Sequence, residues 1–134
     1  MILFICLDED NGMLFNRRRQ SSDREVIRDM LAACKGKKLR MDEYSAKLFE
    51  NRNEIAVAAD FLEQAGEGDF CFVENRGIAP YEKDIETLVI YRWNRNYPED
   101  LRLDIDLNLW ERQSVEEIKG YSHETIAKEI YARR

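Results

Sequence analysis

The chain has one histidine among its 134 residues, with three cysteines, two prolines and six glycines. A single imidazole, His123, cannot assemble the multi-histidine ligand sets that hold catalytic zinc. No CxxC pair is present, so a cysteine-rich zinc site is excluded as well. A Ser-His-Asp or Cys-His pair would have to recruit His123, which reads as part of a turn at Tyr121-Ser122-His123-Glu124, and no GxSxG nucleophile elbow occurs. GxxxxGK and GxGxxG phosphate loops and internal repeats are absent. Little proline and glycine beside 44% hydrophobic residues excludes collagen-like, low-complexity and disordered chains. No apolar run approaches the ~20 residues needed to cross a bilayer. The opening run Ile2-Leu3-Phe4-Ile5-Cys6-Leu7 leads straight into acids and does not read as a signal peptide.

What is present is charge, mostly of one sign. Lys and Arg number 21 against 27 Asp and Glu, a formal net charge of -6. Such a surface repels a phosphate backbone, and the only basic cluster is Arg17-Arg18-Arg19, so nucleic acid is not an expected partner. Cys6, Cys34 and Cys71 are odd in number and lie in apolar segments, as buried thiols of a cytoplasmic, reducing environment do. The length suits one domain, 1–134, which buries roughly two-thirds of its unfolded surface without metal or disulfide.

Residues 2–7 read as a strand covered on both faces. Asn11-Gly12 marks a turn. Ser22-Asp23-Arg24-Glu25 reads as a capping box with Ser22 as the cap, followed by apolar residues at helical spacing from Val26 to Cys34 and a stop at Gly36. Lys38–Met41, Ile55–Ala58, Phe70–Val73 and Thr87–Tyr91 are short strands, separated by short helices around Tyr44–Phe49, Asp60–Ala65 and Pro80–Ile85. Leu101, Leu103, Ile105, Leu107 and Leu109 alternate with polar residues, which predicts a nine-residue half-buried strand. The tail from Thr125 fits strand or helix. The expected class is α/β, a mostly parallel central sheet with helices on both faces and an antiparallel C-terminal hairpin.

This order of elements resembles a shortened dihydrofolate reductase. The opening strand with Asn11-Gly12-Met13 and a helix with an acid in its first turn is similar to that family's start. Lys37-Lys38-Leu39-Arg40-Met41, followed by a helix carrying Ser45, resembles its second strand and helix. Asp69-Phe70-Cys71-Phe72-Val73 resembles the strand that leads into a Gly-Gly pair. Trp110-Glu111, Ser122-His123 and Glu129-Ile130-Tyr131-Ala132-Arg133-Arg134 resemble the final hairpin. The resemblance implies that the tail is a strand, paired with the Leu101–Leu109 region and the Trp110 segment. It also implies that Asp23 stands where the family's substrate-binding acid does. In place of the Gly-Gly pair that admits phosphate stand Glu74-Asn75, in place of the phosphate-binding Arg stands Glu43, and only the neighbouring hydroxyl survives, as Ser45.

These departures imply a reductase-like scaffold that has lost NADPH-dependent catalysis, with no cofactor expected, and that serves as a small-ligand or protein-binding module. Two alternatives stand beside it. One is a divergent NADPH-dependent oxidoreductase acting on a pterin- or pyrimidine-like ring with Asp23 as its catalytic acid. The other is an interaction, regulatory or immunity protein docking an acidic partner. For an anionic or aromatic ligand, the groups that could fork onto a charge or stack on a ring are Arg17, Arg18, Arg19, Arg92, Trp93 and Arg95. They lie in segments that follow strands, where open α/β sheets place ligands.

Overall fold

The computed structural model describes residues 1–15, 18–19, 23–49, 53–94, 101–120 and 125–134. Its first strand, β1 (Ile2–Leu7), is apolar throughout because it lies mid-sheet. It runs parallel to β6 (Phe70–Val73) on one side and to β7 (Thr87–Trp93) on the other. Beyond β6 come β4 (Leu39–Met41) and β5 (Ile55–Val57), also parallel. Beyond β7 come β10 (Thr125–Arg133) and β9 (Trp110–Lys119), each antiparallel to its neighbour, giving the order β5-β4-β6-β1-β7-β10-β9. A small second sheet joins β3 (Arg18–Arg19), β2 (Gly12–Phe15) and β8 (Leu101–Arg102). The expected architecture and the strand assignment of the tail hold.

The two-residue period of the strands sorts the core into two layers. Leu3, Ile5 and Leu7 pack with Cys71, Val73, Leu88 and Ile90 beneath α3 (Phe61–Gln64) and the 3-10 helix Ala79–Asp84. Phe4 and Cys6 pack with Phe72, Val89 and Tyr91 beneath α1 (Arg24–Ala33) and α2 (Glu43–Ala46). The second layer also contains a polar lock. The Tyr91 hydroxyl donates to Asp29 of α1 at 2.5 Å, and Lys128 of β10 reaches the same carboxylate at 2.7 Å. Cys6, Cys34 and Cys71 are free and buried, and burial pushes the Cys34 thiol up to about 11 and the Cys71 thiol up to about 12.

Three expectations need correction. The residue that caps α1 is Asp23, whose carboxylate accepts from the amides of Glu25 at 2.8 Å and Val26 at 3.4 Å; Ser22 lies outside the described residues. The alternating run 101–109 is not one strand. Only Leu101–Arg102 pair, and Leu107–Leu109 form a 3-10 turn. The alternation is that of an extended segment laid across the first core layer, where Leu103 is buried and Leu101, Ile105 and Leu107 pack at its edge. Its acids are taken by backbone amides instead of a ladder: Asp104 by Ile78 and Ala79, Asp106 by Asn108. Accordingly, the tail pairs with β7 and β9, not with that run. The edge strand β9 is exposed from Glu111 to Glu117, highly charged and interrupted by an irregularity opposite Ile130/Tyr131, features that blunt edge-to-edge association.

Asp29→Ala removes the acceptor shared by Tyr91 and Lys128, so urea unfolding should show a loss of about 2 kcal/mol. An unchanged midpoint would remove this lock from the account of stability.

At the amino end of β6, Asp69 accepts the Gly66 amide at 2.8 Å and lies 3.5 Å from Arg40. That amide, then Arg40 and Lys37, hold its carboxyl below the usual range against the opposing effect of burial. Its folded pKa lies below the unfolded one, so its stabilisation is complete above about pH 4 and is lost as pH falls through the folded value. Asp69→Asn should therefore flatten the acid limb of a stability–pH curve and leave the shape near neutrality unchanged.

Candidate functional site

The connection leaving β1 crosses one face of the sheet through α1, and the connection leaving the adjacent β6 crosses the other through residues 79–84. Chains that part in this way open a crevice at the carboxyl ends of the two strands. Five polar side chains are buried among the described residues: Asp8, Asp23, Ser45, Glu74 and Glu129. Asp8 follows β1, Glu74 follows β6, Ser45 lies in the helix after β4, and Asp23 heads α1, so four of the five gather at this end.

Asp8 closes the apolar strand by folding its own loop. Its Oδ1 accepts the amides of Asp10 at 2.9 Å and Gly12 at 2.8 Å, while Oδ2 is buried without a hydrogen-bond partner among the described residues. Asn11 takes the left-handed conformation at φ 63°, which asparagine tolerates better than most residues. Arg92 then fastens this loop to the sheet. One terminal nitrogen donates to the Asp8 carbonyl and to Asn11 Oδ1, both at 2.8 Å, and Nε donates to Glu129 at 3.1 Å. The Tyr131 hydroxyl completes the set by donating to Glu129 at 2.9 Å. Burial, followed by the bond to Glu129, raises the Tyr131 pKa.

Ser45 and Glu74 form a second pair. The hydroxyl donates to Glu74 Oε1 at 2.9 Å, and each residue is only 1% exposed. Glu43 is exposed and Asn75 half-buried, so of the two acids singled out from the sequence only Glu74 fills space inside the fold.

Beyond Glu74, the turn into the 3-10 helix is held by a residue the sequence did not single out. Asp104 accepts from the amides of Ile78 at 2.8 Å and Ala79 at 3.1 Å. A Cβ on Gly77 would lie 2.5 Å from Asp104 Oδ2, so glycine is what admits the carboxylate. Backbone amides presented in succession make an anion seat, and here the chain's own carboxylate occupies it.

The other expected residues are dispersed. Arg92 is hydrogen-bonded into the fold and Trp93 is buried in the second core layer, yet both line one cavity at the carboxyl end of β7. Arg18 and Arg19 form the backbone of β3, and Arg17, Arg95 and His123 lie outside the described residues. Sequence reasoning missed Asp8, Glu129 and Asp104. Asp8 carried a signal, as the first acid after an apolar run and just before a turn; Asp104 was hidden by the regular alternation around it.

Arg92→Ala would leave Glu129 buried without its cation, with an expected loss of about 3 kcal/mol. Glu129→Gln on that background should recover part of it in a double-mutant cycle, whereas additive losses would show that the pair is not coupled.

No protein-family profile matches the chain, and no curated protein matches it. Solved structures do, 253 chains in all. One is the dihydrofolate reductase from Enterococcus faecalis, solved in complex with NADP(H) and RAB-propyl, at a TM-score of 0.69 and 10% sequence identity, covering 99% of this chain and 95% of that one. At that identity the likeness is one of architecture: the chain is built on the dihydrofolate reductase fold along nearly its whole length.

Proposed function

We propose that this chain is a reductase-fold binding module for a small ligand or a protein, and that it does not use a nicotinamide dinucleotide. The observation that carries this reading is the Asp104 carboxylate seated on the Ile78 and Ala79 amides at 2.8 and 3.1 Å. The resemblance places phosphate contacts on the backbone at Glu74-Asn75, just after β6 and a few residues before this seat, and on the helix after β4. After β6 the amides beyond Gly77 already carry an anion. After β4 the surviving hydroxyl, Ser45, gives its one proton to the buried Glu74. A phosphate within about 4 Å of such a carboxylate meets repulsion of about 1 kcal/mol at water's dielectric and about 4 kcal/mol at an effective constant of 20. The residues present therefore do not fit the dinucleotide that the structural neighbour was solved with.

The oxidoreductase alternative needs Asp23 to face a substrate. Its Oδ1 instead accepts two amides of α1, the ordinary work of an N-cap.

The test is a titration of the purified chain with NADPH, followed by tryptophan fluorescence and by calorimetry, with an active dihydrofolate reductase alongside. We expect no saturable signal and no oxidation of NADPH with dihydrofolate. Saturable binding in the micromolar range would overturn the proposal and return the chain to the oxidoreductases.

A further inference from the structure

We propose that Asn11 is a modification site: it deamidates through attack by the Gly12 nitrogen, and the clamp that Asp8 and Arg92 place on this turn sets the rate. The inference goes beyond the ligand question and does not rest on it. Asn11 is the only asparagine in the chain followed by glycine; every other precedes Arg, Glu, Tyr or Leu. Glycine matters because no side chain shields its backbone nitrogen. In the step itself the Gly12 nitrogen bonds to Asn11 Cγ and the bond from Cγ to the side-chain nitrogen breaks. That nitrogen leaves as ammonia, taking the proton that Gly12 gives up. Water then opens the cyclic imide at either carbonyl, giving aspartate or isoaspartate. One water is consumed, one ammonia is released, and nothing is oxidised or reduced.

In the closed turn both reacting groups are held apart. The Gly12 amide donates to Asp8 Oδ1 at 2.8 Å, and Asn11 Oδ1 accepts from Arg92 at 2.8 Å. Ring closure needs the Gly12 nitrogen eclipsed with Asn11 Cβ, whereas the left-handed backbone at Asn11, φ 63°, sets it nearly opposite. Reaction therefore runs through an open turn, and its rate follows the population of that state. Arg92 governs the opening, because it also holds the Asp8 carbonyl at 2.8 Å and is itself held by Glu129. Asn11 is half-buried, so water reaches the imide once the turn opens. Isoaspartate lengthens the main chain by one atom. The Asp8 amide on the Gly12 carbonyl at 3.0 Å and the Leu103 amide on the Asn11 carbonyl at 2.9 Å then lose their register. The product is a one-way release of this turn from the segment that carries Leu103.

The experiment incubates the full chain in warm, mildly alkaline buffer, with the urea-unfolded chain as reference. Intact mass and a peptide map that separates aspartate from isoaspartate follow Asn11. Reaction at Asn11 should be about tenfold or more slower in the folded chain than in the unfolded one. Arg92→Ala paired with Glu129→Gln, which leaves no carboxylate without its cation, should raise the folded rate about tenfold. Asp29→Ala weakens the sheet away from the turn and should leave the rate near that of the parent. Where the double variant does not fold, Arg92→Lys replaces it with the same expected rise, since it keeps a cation beside Glu129 without the fork that reaches the turn. The proposal fails if Asn11 stays unmodified, if folded and unfolded chains react alike, if the clamp variant is no faster than the parent, or if Asp29→Ala accelerates the reaction as much.

Discussion

A strand buried on both faces can carry no polar side chain along its length, and this constraint on β1 organises the molecule. Its parallel neighbours β6 and β7 obey it too, from Phe70 to Val73 and from Leu88 to Ile90. Polar chemistry is thereby pushed to the strand ends. The first residue past β1 is Asp8 and the first past β6 is Glu74, both buried, and each must find its partners in the loops that leave the sheet. The carboxyl ends of these strands therefore hold buried groups whose first duty is to terminate strands.

Internal satisfaction is the consequence for most of them, with Asp8 Oδ2 the exception among the described residues. Asp8 folds its own turn, Glu74 takes the proton of Ser45, Asp23 caps α1, and Arg92 ties Asp8 and Asn11 to Glu129. A charged group bonded in this way stabilises the fold and is correspondingly poor at meeting a ligand, because a ligand would first have to displace the existing partner. The same fold can thus keep its layers and register while the chemistry at its strand ends changes, so architecture alone does not carry an activity here.

The sheet was legible because its signals are local. Continuous apolar runs marked the parallel strands, and glycine, proline and aspartate marked most helix ends. The run from Leu101 to Leu109 misled because a period of two reports an extended backbone and not a ladder; an extended segment crossing a core obeys the same rule without partners. The highly polar strand β9 was invisible to hydrophobic patterning, since its residues from Glu111 to Glu117 are exposed and its placement comes from β10. Ser45 and Glu74 stood out in the sequence one by one, but their hydrogen bond to each other did not. Contacts across long separations, such as Asp104 on Ile78 or Arg92 on Asp8, have no local trace at all.

The Asp104 contact also joins three segments through backbone donors. The Ile78 amide is on a buried residue and needs an acceptor, while the Ala79 amide lies at the surface. A carboxylate from a neighbouring segment offers two acceptor oxygens to two amides and restores the balance of donors and acceptors. The position of Gly77 against that carboxylate shows how close the approach is, since any side chain there would collide with it. Once seated, Asp104 also anchors residues 101–109 over the first core layer, where Leu103 is buried and its amide bonds to the Asn11 carbonyl. The loop at Asp8, the turn after β6 and the segment before β9 are thus held together by backbone groups satisfied inside the chain. Displacing Asp104 from these amides would loosen all three.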